Sequence, residues 1–589
     1  MMGEYGKEYS HSQVPKETNT REVSECSGAL VVGSMEEKPA ILHGEEPVYE
    51  PARGGLGFEL FRSMKLHKDK IAQYIIETGE SCTNGHLLDK SIKLAIYLKS
   101  KNFKKDDVVC LFSHNQMYST VPFFAAKFID VCYSSVEPTM AEEDIIYLFE
   151  YIQPKMIFVA ENVEDKIEEC MKKANIKADL IILGKSQKNL TFDQIIAETP
   201  DQEFSPAIVE DLKETAVIFF SSGTTGKPKG ICCNHYSLLG KVMTVAEHVT
   251  DSGSYNVSNF TLVIGEESYY NCLSYTPMYW ISGIGIILMS TIHGSLRTMG
   301  AKFTSEGFWE AMEKFKPSTA FLPPGQIVNV YLKWKEGKCK STDYLRLFVT
   351  GGGPVKAYHL DYAREMFPNT AVFQMLGMTE ASGLLATFSV RDPESLALQK
   401  KYPESCGKIF RGQSFKIVDV ETGKTCGHDQ EGELRIKSVY MMNGYYKMDT
   451  TSCFDEEGWF KTGDLAYINK DDCLVVVDRL KDLLLYTLYN IRPSVIEEIL
   501  AQHPSVHEAF VIGIPHPTDN EHPMGVVKLK NQRHTDVTPE ELVDYVNQRV
   551  PSDRYKIRAG VKIVDNIIRT PTGKIKKILM KKMILEGKI

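Results

Sequence analysis

The chain has 589 residues, and 68 Lys and Arg against 77 Asp and Glu give it a formal net charge of −9. Its composition, 43% hydrophobic and 25% charged, is typical of a soluble globular protein and excludes collagen-like, disordered and disulfide-scaffold chains. The length suggests roughly four domain-sized units of about 150 residues. Thirteen cysteines without CxxC spacing predict reduced, mostly buried thiols, and the acidic balance argues against nucleic acid as a partner.

The first fifty residues are polar and rich in glutamate, so we expect residues 1–50 to form a disordered arm. They lack the apolar run of a secretory signal and contain the acidic residues that transit peptides avoid. The longest apolar stretch, Met278 to Ile292, spans about fifteen residues and is too short to cross a bilayer. We therefore predict a buried helix there, no transmembrane segment, and at most peripheral contact with a membrane.

Beyond this arm, helical and strand patterns alternate along the chain. Apolar residues from Leu87 to Leu98 fall on one helical face, and Asp107 to Phe112 has the pattern of a buried strand. A second helix around Glu143 to Tyr151 precedes a strand at Met156 to Val159. Such alternation over several hundred residues predicts an α/β fold with parallel crossovers.

The segment 217–230, VIFFSSGTTGKPKG, places a loop of glycines, hydroxyls and lysines directly after an apolar strand. Glycines let the backbone bend around a phosphate, hydroxyl and amide groups donate to its oxygens, and lysines neutralise its charge. The Walker A pattern is not met, and Pro228 prevents a helix from starting at Lys227. The alternative is a flexible surface loop, but the position after a buried strand favours a phosphate-binding loop.

The charge is unevenly distributed along the chain. Residues from Arg479 to the end carry 18 Lys and Arg and 13 Asp and Glu, a net charge of +5, whereas the preceding residues carry a net charge of −14. A basic region that closes over an anionic ligand would have this pattern, although a solvated basic surface would have it too. We place a domain boundary in the charged link Asp478–Asp482, which gives domains at residues 51–478 and 479–589.

The phosphate loop resembles the signature of the adenylate-forming superfamily, which includes acyl-CoA synthetases, 4-coumarate-CoA ligases, beetle luciferases and the adenylation domains of peptide synthetases. The resemblance continues, in the family's order, through Gly351–Pro354, Gln374–Glu380, Gly458–Asp464, Asp478–Asp482 and Arg569–Lys574. These motifs extend over roughly residues 60 to 580, and the chain is most similar to insect luciferase-like acyl-CoA synthetases. The resemblance implies a large N-terminal AMP-binding domain of layered α/β subdomains with a β-barrel-like part, and a small mobile α+β C-terminal lid domain.

The family's reaction is the attack of a carboxylate on the α-phosphorus of MgATP, which releases pyrophosphate and leaves an acyl-adenylate. In most members coenzyme A then displaces AMP. Both reactants of the first step are anions, so the protein must supply positive charge and alignment. The residues that the resemblance assigns to ATP are Ser221, Ser222, Gly223, Thr224, Thr225, Gly226 and Lys229 in the phosphate loop, followed by Gly352, Gln374, Leu376, Gly377, Asp464 and Arg479.

Further roles follow from the same resemblance. Glu380 is expected to hold Mg²⁺, a hard cation that prefers oxygen ligands, and Thr379 to donate to the α-phosphate. Lys481 lies at the hinge position. Lys574 matches the catalytic lysine, which bridges the attacking carboxylate and the α-phosphate and swings away when the C-terminal domain rotates. Without the motifs around them, the Thr-Glu pair would also fit a helix cap, and Lys574 would also fit a solvated lysine cluster.

The chain departs from its relatives at positions that bear on the substrate and on the second step. Leu376 replaces the aromatic residue that covers the adenine, so apolar cover remains without stacking. Trp280 stands where luciferases and coumarate ligases have histidine, which favours an apolar acid in the acyl pocket. Leu485 replaces the lysine of the luciferases' oxidative half-reaction. Leu488 replaces the glycine beside the pantetheine arm of coenzyme A, and either narrows the thiol tunnel or is accommodated by a shifted backbone.

We therefore expect an AMP-forming acyl-CoA synthetase that uses ATP, Mg²⁺ and coenzyme A on an apolar carboxylic acid, of the medium- or long-chain fatty acid type. A luciferin monooxygenase is disfavoured by Trp280 and Leu485. An adenylate-binding pseudo-enzyme impaired in thioester formation is suggested by Leu376 and Leu488, but the retained Lys574 opposes it.

The expected location is cytoplasmic or peroxisomal. The terminal Gly587-Lys588-Ile589 is only faintly similar to the Ser-Lys-Leu peroxisomal signal. The sequence indicates neither the identity of the acid nor the oligomeric state.

Overall fold

A computed structural model describes residues 38–47, 51, 53–221, 227–249, 271–337, 342–353, 355–389, 392–530, 537–569 and 575–589. The predicted arm at residues 1–50 therefore lies largely outside the described residues.

Up to the phosphate loop, the strands are β1 (Ile41–His43), β2 (Ile71–Ile75), β3 (Ser81–Thr83), β4 (Val108–Phe112), β5 (Cys132–Ser135), β6 (Met156–Ala160), β7 (Asp179–Leu183), β8 (Leu190–Thr191) and β9 (Thr215–Phe220). The helices of this part are α1 (Gly55–Leu66), α2 (Asn84–Ser100), α3 (Val121–Phe128), α4 (Glu142–Ile152), α5 (Glu164–Lys173) and α6 (Phe192–Glu198).

The next part contains strands β10 (Gly230–Asn234), β11 (Asn271–Ser274), β12 (Leu296–Met299), β13 (Thr319–Leu322), β14 (Leu347–Gly351), β15 (Ala371–Met378) and β16 (Gly383–Thr387). Its helices are α7 (His235–Val249), α8 (Ile281–Ile292), α9 (Ser305–Phe315), α10 (Pro324–Lys335) and α11 (Ala357–Met366).

The remaining strands are β17 (Lys408–Ile409), β18 (Gln413–Val418), β19 (Gly432–Ser438), β20 (Gly444–Tyr445), β21 (Phe460–Ile468), β22 (Leu474–Arg479), β23 (Leu484–Tyr486), β24 (Tyr489–Ile491), β25 (Val506–His516), β26 (Asn520–Leu529) and β27 (Val561–Ile563). They are accompanied by helices α12 (Pro393–Lys401), α13 (Pro493–Ala501), α14 (Pro539–Asn547) and α15 (Lys577–Leu585).

Two large sheets form the body of the molecule. One has the order β20-β10-β9-β5-β4-β6-β7-β8, and the other has the order β17-β16-β15-β14-β13-β11-β12-β2-β3. The central strands of both are parallel, as the alternation of helix and strand predicts. Helix α2 confirms the predicted helical face, because Leu87, Leu94 and Leu98 are fully buried. Strand β4 is buried along its whole length, as expected of a strand covered on both faces.

Two smaller sheets complete the fold. An antiparallel sheet of order β1-β18-β19-β21-β22 occupies the place of the predicted β-barrel-like part. A C-terminal sheet of order β24-β23-β26-β25, with β27 parallel to β26, has its own apolar cluster, which includes Ile491, Ile496 and Leu542. The predicted fold class, a large α/β N-terminal part with a small α+β C-terminal part, is confirmed.

The apolar stretch Met278 to Ile292 contains the buried helix α8, but the helix begins only at Ile281. Trp280 has an extended backbone, and its amide donates to the carbonyl of Pro277, so these residues form the turn that enters the helix. A Cβ atom at Gly283 would lie 2.0 Å from that carbonyl oxygen, which explains the glycine at this position. Among the described residues, no helix is both long and apolar enough to cross a membrane. The cysteines described there are free thiols, and most of them are buried.

Candidate active site

The phosphate loop begins and ends between two paired strands. Strands β9 and β10 are antiparallel, so the chain leaves at Ser221 and returns at Lys229. The Ser221 amide donates to the Lys229 carbonyl at 2.9 Å, and the Lys229 amide donates to Ser221 Oγ at 3.2 Å. The base of the loop is therefore closed by reciprocal hydrogen bonds. Five of the predicted ATP-binding residues, Ser222, Gly223, Thr224, Thr225 and Gly226, lie outside the described residues.

A tyrosine joins this loop to the predicted magnesium ligand. Lys229 Nζ lies 5.0 Å from the centre of the Tyr445 ring, and the Tyr445 hydroxyl donates to Glu380 Oε1 at 3.1 Å. Burial, and next the neighbouring Glu380 carboxylate, raise the pKa of Tyr445, so the phenol keeps its proton and remains a donor. The structure thus brings Lys229 and Glu380, which are 151 positions apart in the chain, to one tyrosine, with the lysine over the ring and the carboxylate at the hydroxyl.

Thr379 and Glu380 form a short 3₁₀ turn, Thr379–Ala381, directly after β15. The Glu380 carbonyl accepts a hydrogen bond from the Met442 amide at 2.8 Å, and the Thr379 carbonyl accepts one from the Cys233 thiol at 3.5 Å. The turn ends at Ser382, whose φ of 55° is left-handed. Both side chains are half-buried. The backbone of the pair is therefore held from two sides, while the carboxylate keeps access to solvent.

The other predicted adenine and phosphate contacts lie on β14 and β15 or just after them. These strands are adjacent and parallel, so their carboxyl ends meet at one edge of the sheet, where ligands of open α/β sheets bind. Gly352 follows β14 with a φ of 80°, which favours glycine, and Gly377 is exposed near the end of β15. Leu376 is half-buried against the main core. Gln374 is buried, and its side-chain amide donates to the Ser405 carbonyl.

The predicted ribose contacts form an ion pair. Asp464 on β21 lies opposite Arg479 on β22, and Arg479 Nε is 2.6 Å from Asp464 Oδ1. The Asp464 side chain is 6% exposed, whereas that of Arg479 is 43% exposed, so the carboxylate is fixed and the arginine faces solvent. Cys406 follows Ser405, whose carbonyl accepts from Gln374, and it also lies near Asp464. Burial, and then the Asp464 carboxylate, raise the pKa of the Cys406 thiol to about 12.

The acyl-pocket residue Trp280 precedes α8 and is half-buried, with its ring 6.2 Å from that of Tyr279. The surrounding helix is apolar, since Ile284, Ile287 and Leu288 are buried. The pKa of Tyr279 is raised by its burial and by the carboxylate of Glu137, so its phenol is neutral. Neutral aromatic and aliphatic groups therefore surround the predicted position of the acid.

The residues after Arg479 include the predicted hinge and the two leucines that replace family residues. Lys481 is exposed in the 3₁₀ turn Leu480–Asp482, at the predicted hinge. Strands β23 and β24 form a hairpin whose turn is Thr487-Leu488, with Thr487 at a left-handed φ of 53°. Leu488 is 91% exposed and Leu485 is 42% exposed. Leu488 thus lies on an open turn, and Leu485 lies on strand β23, which leads into it.

The predicted catalytic residue Lys574 lies outside the described residues, but the ends of its loop do not. Arg569 forms an isolated antiparallel bridge with Ile575, and the Lys576 amide donates to the Ile568 carbonyl at 2.9 Å. Arg569 pairs with Glu508 and also lies near Tyr358, on helix α11 of the large body. The pKa of Tyr358 is raised to about 12, chiefly by burial.

Ion pairs join the body to the C-terminal residues on the surface. Lys356 Nζ is 2.7 Å from Glu498 Oε1, and Arg492 Nη1 is 2.7 Å from Glu431 Oε1. All four side chains are at least 20% exposed. These contacts fix the C-terminal part against the body in the arrangement described, with groups that water can also solvate.

Sequence reasoning did not single out Tyr445 or Lys241. Tyr445 lies on β20, which pairs with β10 directly after the phosphate loop, and this pairing is not visible from local sequence. Lys241 on α7 is buried and donates to the Leu384 carbonyl at 2.7 Å, next to the Thr379–Ala381 turn. Burial lowers the pKa of Lys241 to about 7. A lysine among the apolar residues Leu238, Leu239, Val242 and Met243 of α7 is the signal that could have identified it.

The chain was compared with known proteins. A family model described as AMP-binding enzyme matches residues 60–446, and the model of the C-terminal domain of such enzymes matches residues 495–574. Luciferin 4-monooxygenase of Photuris pensylvanica is 26% identical over 94% of this chain and 99% of the relative. The 4-coumarate-CoA ligase 1 of Petroselinum crispum is 28% identical over 92% of this chain and 96% of the relative.

Among solved structures, the luciferase-like enzyme from the nonluminescent mealworm Zophobas morio has a TM-score of 0.68 and 31% identity, and the match covers 76% of this chain and 100% of that enzyme. The expected family is therefore confirmed, and its full-length relatives include both ligases and monooxygenases. The chain belongs to the AMP-binding enzyme family, whose members form acyl-adenylates.

Proposed function

We propose that the protein is an acid–thiol ligase that activates an apolar carboxylic acid, of the medium- or long-chain fatty acid type, as its adenylate and transfers the acyl group to coenzyme A. The observation that carries the proposal is the contact chain Lys229–Tyr445–Glu380. A lysine and a carboxylate both contact one neutral donor, which supports a site where the lysine would bind phosphate and the carboxylate would hold the magnesium of ATP.

In the first step, a carboxylate oxygen of the acid forms a bond to the α-phosphorus of ATP, and the bond to pyrophosphate breaks. Lys229 and the hydroxyl of Ser221 would hold the leaving phosphates, and Thr379 would donate to the α-phosphate. Asp464 would accept hydrogen bonds from the ribose hydroxyls, with Arg479 holding it in place. Positive charge from Lys574 would offset the repulsion between the two anions.

The residues present fit a magnesium ion that arrives with ATP. Mg²⁺ is usually held by one or two carboxylates together with phosphate oxygens, and Glu380 is a carboxylate with solvent access whose other partner is a phenol. Bound there, the ion would neutralise charge on the phosphates. Glu380 would supply the protein ligand, and Tyr445 would orient its carboxylate.

The surroundings of Trp280 support an apolar substrate. The half-buried indole of Trp280 and the neutral phenol of Tyr279 lie at the start of the apolar helix α8 and offer contacts that suit an apolar group. The family's carboxylate chemistry does not depend on that tail. We therefore assign to this pocket the choice of acid.

A luciferin monooxygenase is the second candidate, because such enzymes are among the full-length relatives. Leu485 and Trp280 argue against it, and the luciferase-like enzyme that is 31% identical to this chain comes from a nonluminescent mealworm. Absence of light with ATP, oxygen and luciferin would agree with the ligase. Light emission would contradict it.

The second step would use residues 479–589 as a lid that rotates about Lys481. Lys481 is exposed in a short turn, and two of the contacts between the lid and the body are solvated ion pairs, which supports a movable arrangement. Rotation would remove Lys574 from the α-phosphate and bring the Thr487-Leu488 turn towards the thiol. A pseudo-enzyme impaired in this step remains the alternative that Leu488 raises.

The test measures the two half-reactions separately. The protein, ATP, Mg²⁺ and a series of carboxylic acids are incubated with and without coenzyme A, and pyrophosphate and acyl-CoA are quantified. We expect pyrophosphate release with apolar acids and acyl-CoA when the thiol is present. No pyrophosphate with any acid would overturn the proposal, whereas pyrophosphate without acyl-CoA would support the pseudo-enzyme.

Two single lysine substitutions, one at the proposed catalytic position and one at a control position, test the roles of the half-reactions. Lys574→Ala should abolish pyrophosphate release but leave a supplied acyl-adenylate able to react with coenzyme A. Lys582→Ala, which removes a largely exposed lysine from α15, should change neither half-reaction. Equal loss of both half-reactions in Lys574→Ala would contradict the rotation.

A further inference from the structure

The hairpin β25–β26 carries a cluster of ionisable side chains that the ligase reaction does not use. His516 is the last residue of β25, Asp519 lies in the turn, and His522 is near the start of β26. His516 lies opposite Asn520, and His522 follows two positions later, so both imidazoles are on one face of the hairpin. The spacing HxxDxxH thus places two histidines and a carboxylate together.

The donor atoms of these residues converge. His522 Nε2 lies 2.8 Å from Asp519 Oδ2, and His516 Nδ1 lies 3.4 Å from the same oxygen. One donor atom from each residue lies within 4.8 Å of the other two. The imidazole rings are stacked, with centroids 3.8 Å apart and planes inclined by 15°. One nitrogen or oxygen atom from each of the three side chains therefore lies within the same small volume.

These separations suit a transition-metal ion. With bonds of about 2.0 Å in tetrahedral geometry, two ligand atoms of zinc are about 3.3 Å apart. The observed distances of 2.8 and 3.4 Å lie on either side of that spacing. Imidazole ligands favour zinc, cobalt, nickel or copper, whereas magnesium and calcium favour oxygen. Two imidazoles with one carboxylate leave a further coordination position for water.

The hydrogen bonds within the cluster are also compatible with a bound ion. The Asp519 amide donates to His516 Nδ1 at 3.3 Å, which means that this nitrogen carries its lone pair on the side of the cluster. The contact is long, and a metal bond of about 2.0 Å would replace it. Binding through Nε2 of the neutral His522 imidazole would require the ring proton to lie on Nδ1, and the ion would replace the contact between Nε2 and Asp519.

The histidine–aspartate cluster is partly exposed to solvent, and neighbouring side chains pack against it. The side chains of His516, Asp519 and His522 are 36%, 29% and 17% exposed. The Tyr486 ring lies 5.8 Å from that of His522, and the guanidinium of Arg558 covers the other side of Tyr486 at 4.4 Å. Glu521, the neighbouring carboxylate, is occupied by Lys581 at 3.0 Å. An ion could therefore enter from solvent and meet three prepositioned ligands.

Asp519 is directly connected to the turn that carries Leu488. The Thr487 amide donates to the Asp519 carbonyl at 2.8 Å, and the Asn520 side-chain amide donates to the Thr487 carbonyl at 2.8 Å. We propose that His516, Asp519 and His522 bind one divalent ion of the zinc type and that the bound ion stiffens the Thr487-Leu488 turn. The site lies outside the proposed ATP-binding residues, and its existence does not depend on the ligase function.

Binding is tested on the full chain after treatment with a chelator. Titration with Co²⁺, followed by its visible absorption and by displacement with Zn²⁺, should reveal one ion per chain. His522→Ala and His516→Ala should each weaken binding by about 100-fold or more, because even outer partners of metal ligands contribute 10- to 100-fold. His522→Gln serves as a second variant, since its amide can still donate to Asp519 and preserve the hairpin.

His428→Ala is the matched control. His428 Nε2 lies 3.0 Å from Asp472 Oδ1, which gives the same histidine–carboxylate contact without a second described imidazole beside it. This variant should bind Co²⁺ like the wild type. No binding by the wild type, or equal binding by His522→Ala, His522→Gln and the wild type, would overturn the site.

Hydrogen exchange tests the connection to the turn. Zn²⁺ should slow amide exchange at Thr487 and Leu488 in the wild type and in His428→Ala, but not in His522→Gln. Binding without any change in exchange at the turn would refute the stiffening. Because neither measurement needs ATP or an acid, failure of this site would leave the ligase proposal untouched, and the reverse also holds.

Discussion

The residues of the body that we propose to bind ATP and the hairpin β23–β24 of the C-terminal part differ in how their side chains are held. In the body, Lys229, Tyr445 and Glu380 contact one another, and Asp464 is buried against Arg479. On the hairpin, Leu488 is 91% exposed. The residues assigned to adenylation are therefore preorganised, while the residue that bears on the thiol step lies on an open turn. We expect the two half-reactions to respond independently to substitution.

Replacing Glu380 is the strongest test of that independence. Glu380→Gln removes the negative charge that would hold magnesium but keeps an acceptor for Tyr445. We expect pyrophosphate release to fall by about 100-fold or more, as for loss of a main electrostatic contact in a transition state. The reaction of supplied acyl-adenylate with coenzyme A should change little.

Glu421→Gln, at an exposed turn residue, is the control and should match the wild type. If Glu380→Gln slowed both half-reactions alike, the separation between body and hairpin would be wrong.

Tyr445→Phe should give a smaller loss in the same half-reaction. The ring beside Lys229 is kept, and only the hydrogen bond to the Glu380 carboxylate is removed. A hydrogen bond to a charged group contributes roughly 1.5 kcal/mol, which corresponds to about a tenfold decrease in kcat/KM for ATP. Tyr446→Phe is a matched control on the adjacent residue. Equal effects of the two variants would mean that the Tyr445 hydroxyl has no special role.

Leu488→Gly tests the hairpin. Removal of the exposed side chain should increase the rate of thioester formation several-fold and leave pyrophosphate release unchanged. Because the side chain is almost fully solvated, the free energy of unfolding should change by no more than about 0.5–1 kcal/mol. The rates are measured with supplied acyl-adenylate. A decrease in thioester formation would show that the leucine assists the thiol.

Lys241 concerns the stability of the body and neither half-reaction. Its pKa is about 7 in the folded protein and near 10.5 in the unfolded chain, because burial disfavours the charged form. Between these values the unfolded chain binds more protons, so the contribution of Lys241 to stability increases from pH 7 to pH 10 and is constant below pH 7.

Lys241→Met should remove this component, up to about 1.4 kcal/mol per pH unit. The melting temperatures of the two proteins are measured from pH 7 to pH 9.5. The melting temperature of Lys241→Met relative to that of the wild type should decrease as the pH rises. Parallel curves would mean that Lys241 keeps its charge in the folded protein.

Local patterns in the sequence are sufficient for much of the fold. Strand β4 and helix α2 occur where the apolar patterns predict them, and the start of α8 differs by three residues because Pro277 and Trp280 form a turn. Sequence motifs also identified Glu380, Asp464 and Arg479. The sequence does not predict a role for Tyr445, because that role depends on the pairing of β10 with β20. These strands are more than 200 residues apart in the chain. Roles that depend on such long-range pairing have no local signal.

The same limit applies to the histidine cluster on β25–β26. The HxxDxxH spacing was visible, but only the hairpin register shows that both imidazoles share a face. The roles of Ser222–Gly226 and Lys574 stay predictions from the motifs.

The surface ion pairs Lys356–Glu498 and Arg492–Glu431 have a consequence for conditions of assay. Exposed pairs of this kind contribute at most about 1 kcal/mol each, and salt screens them over about 10 Å at 0.1 M. Raising the ionic strength would weaken the hold of the C-terminal part on the body without touching the buried Asp464. The salt concentration would thus change the relative rates of the two half-reactions. Buffers of low ionic strength would favour the described arrangement of the C-terminal part on the body.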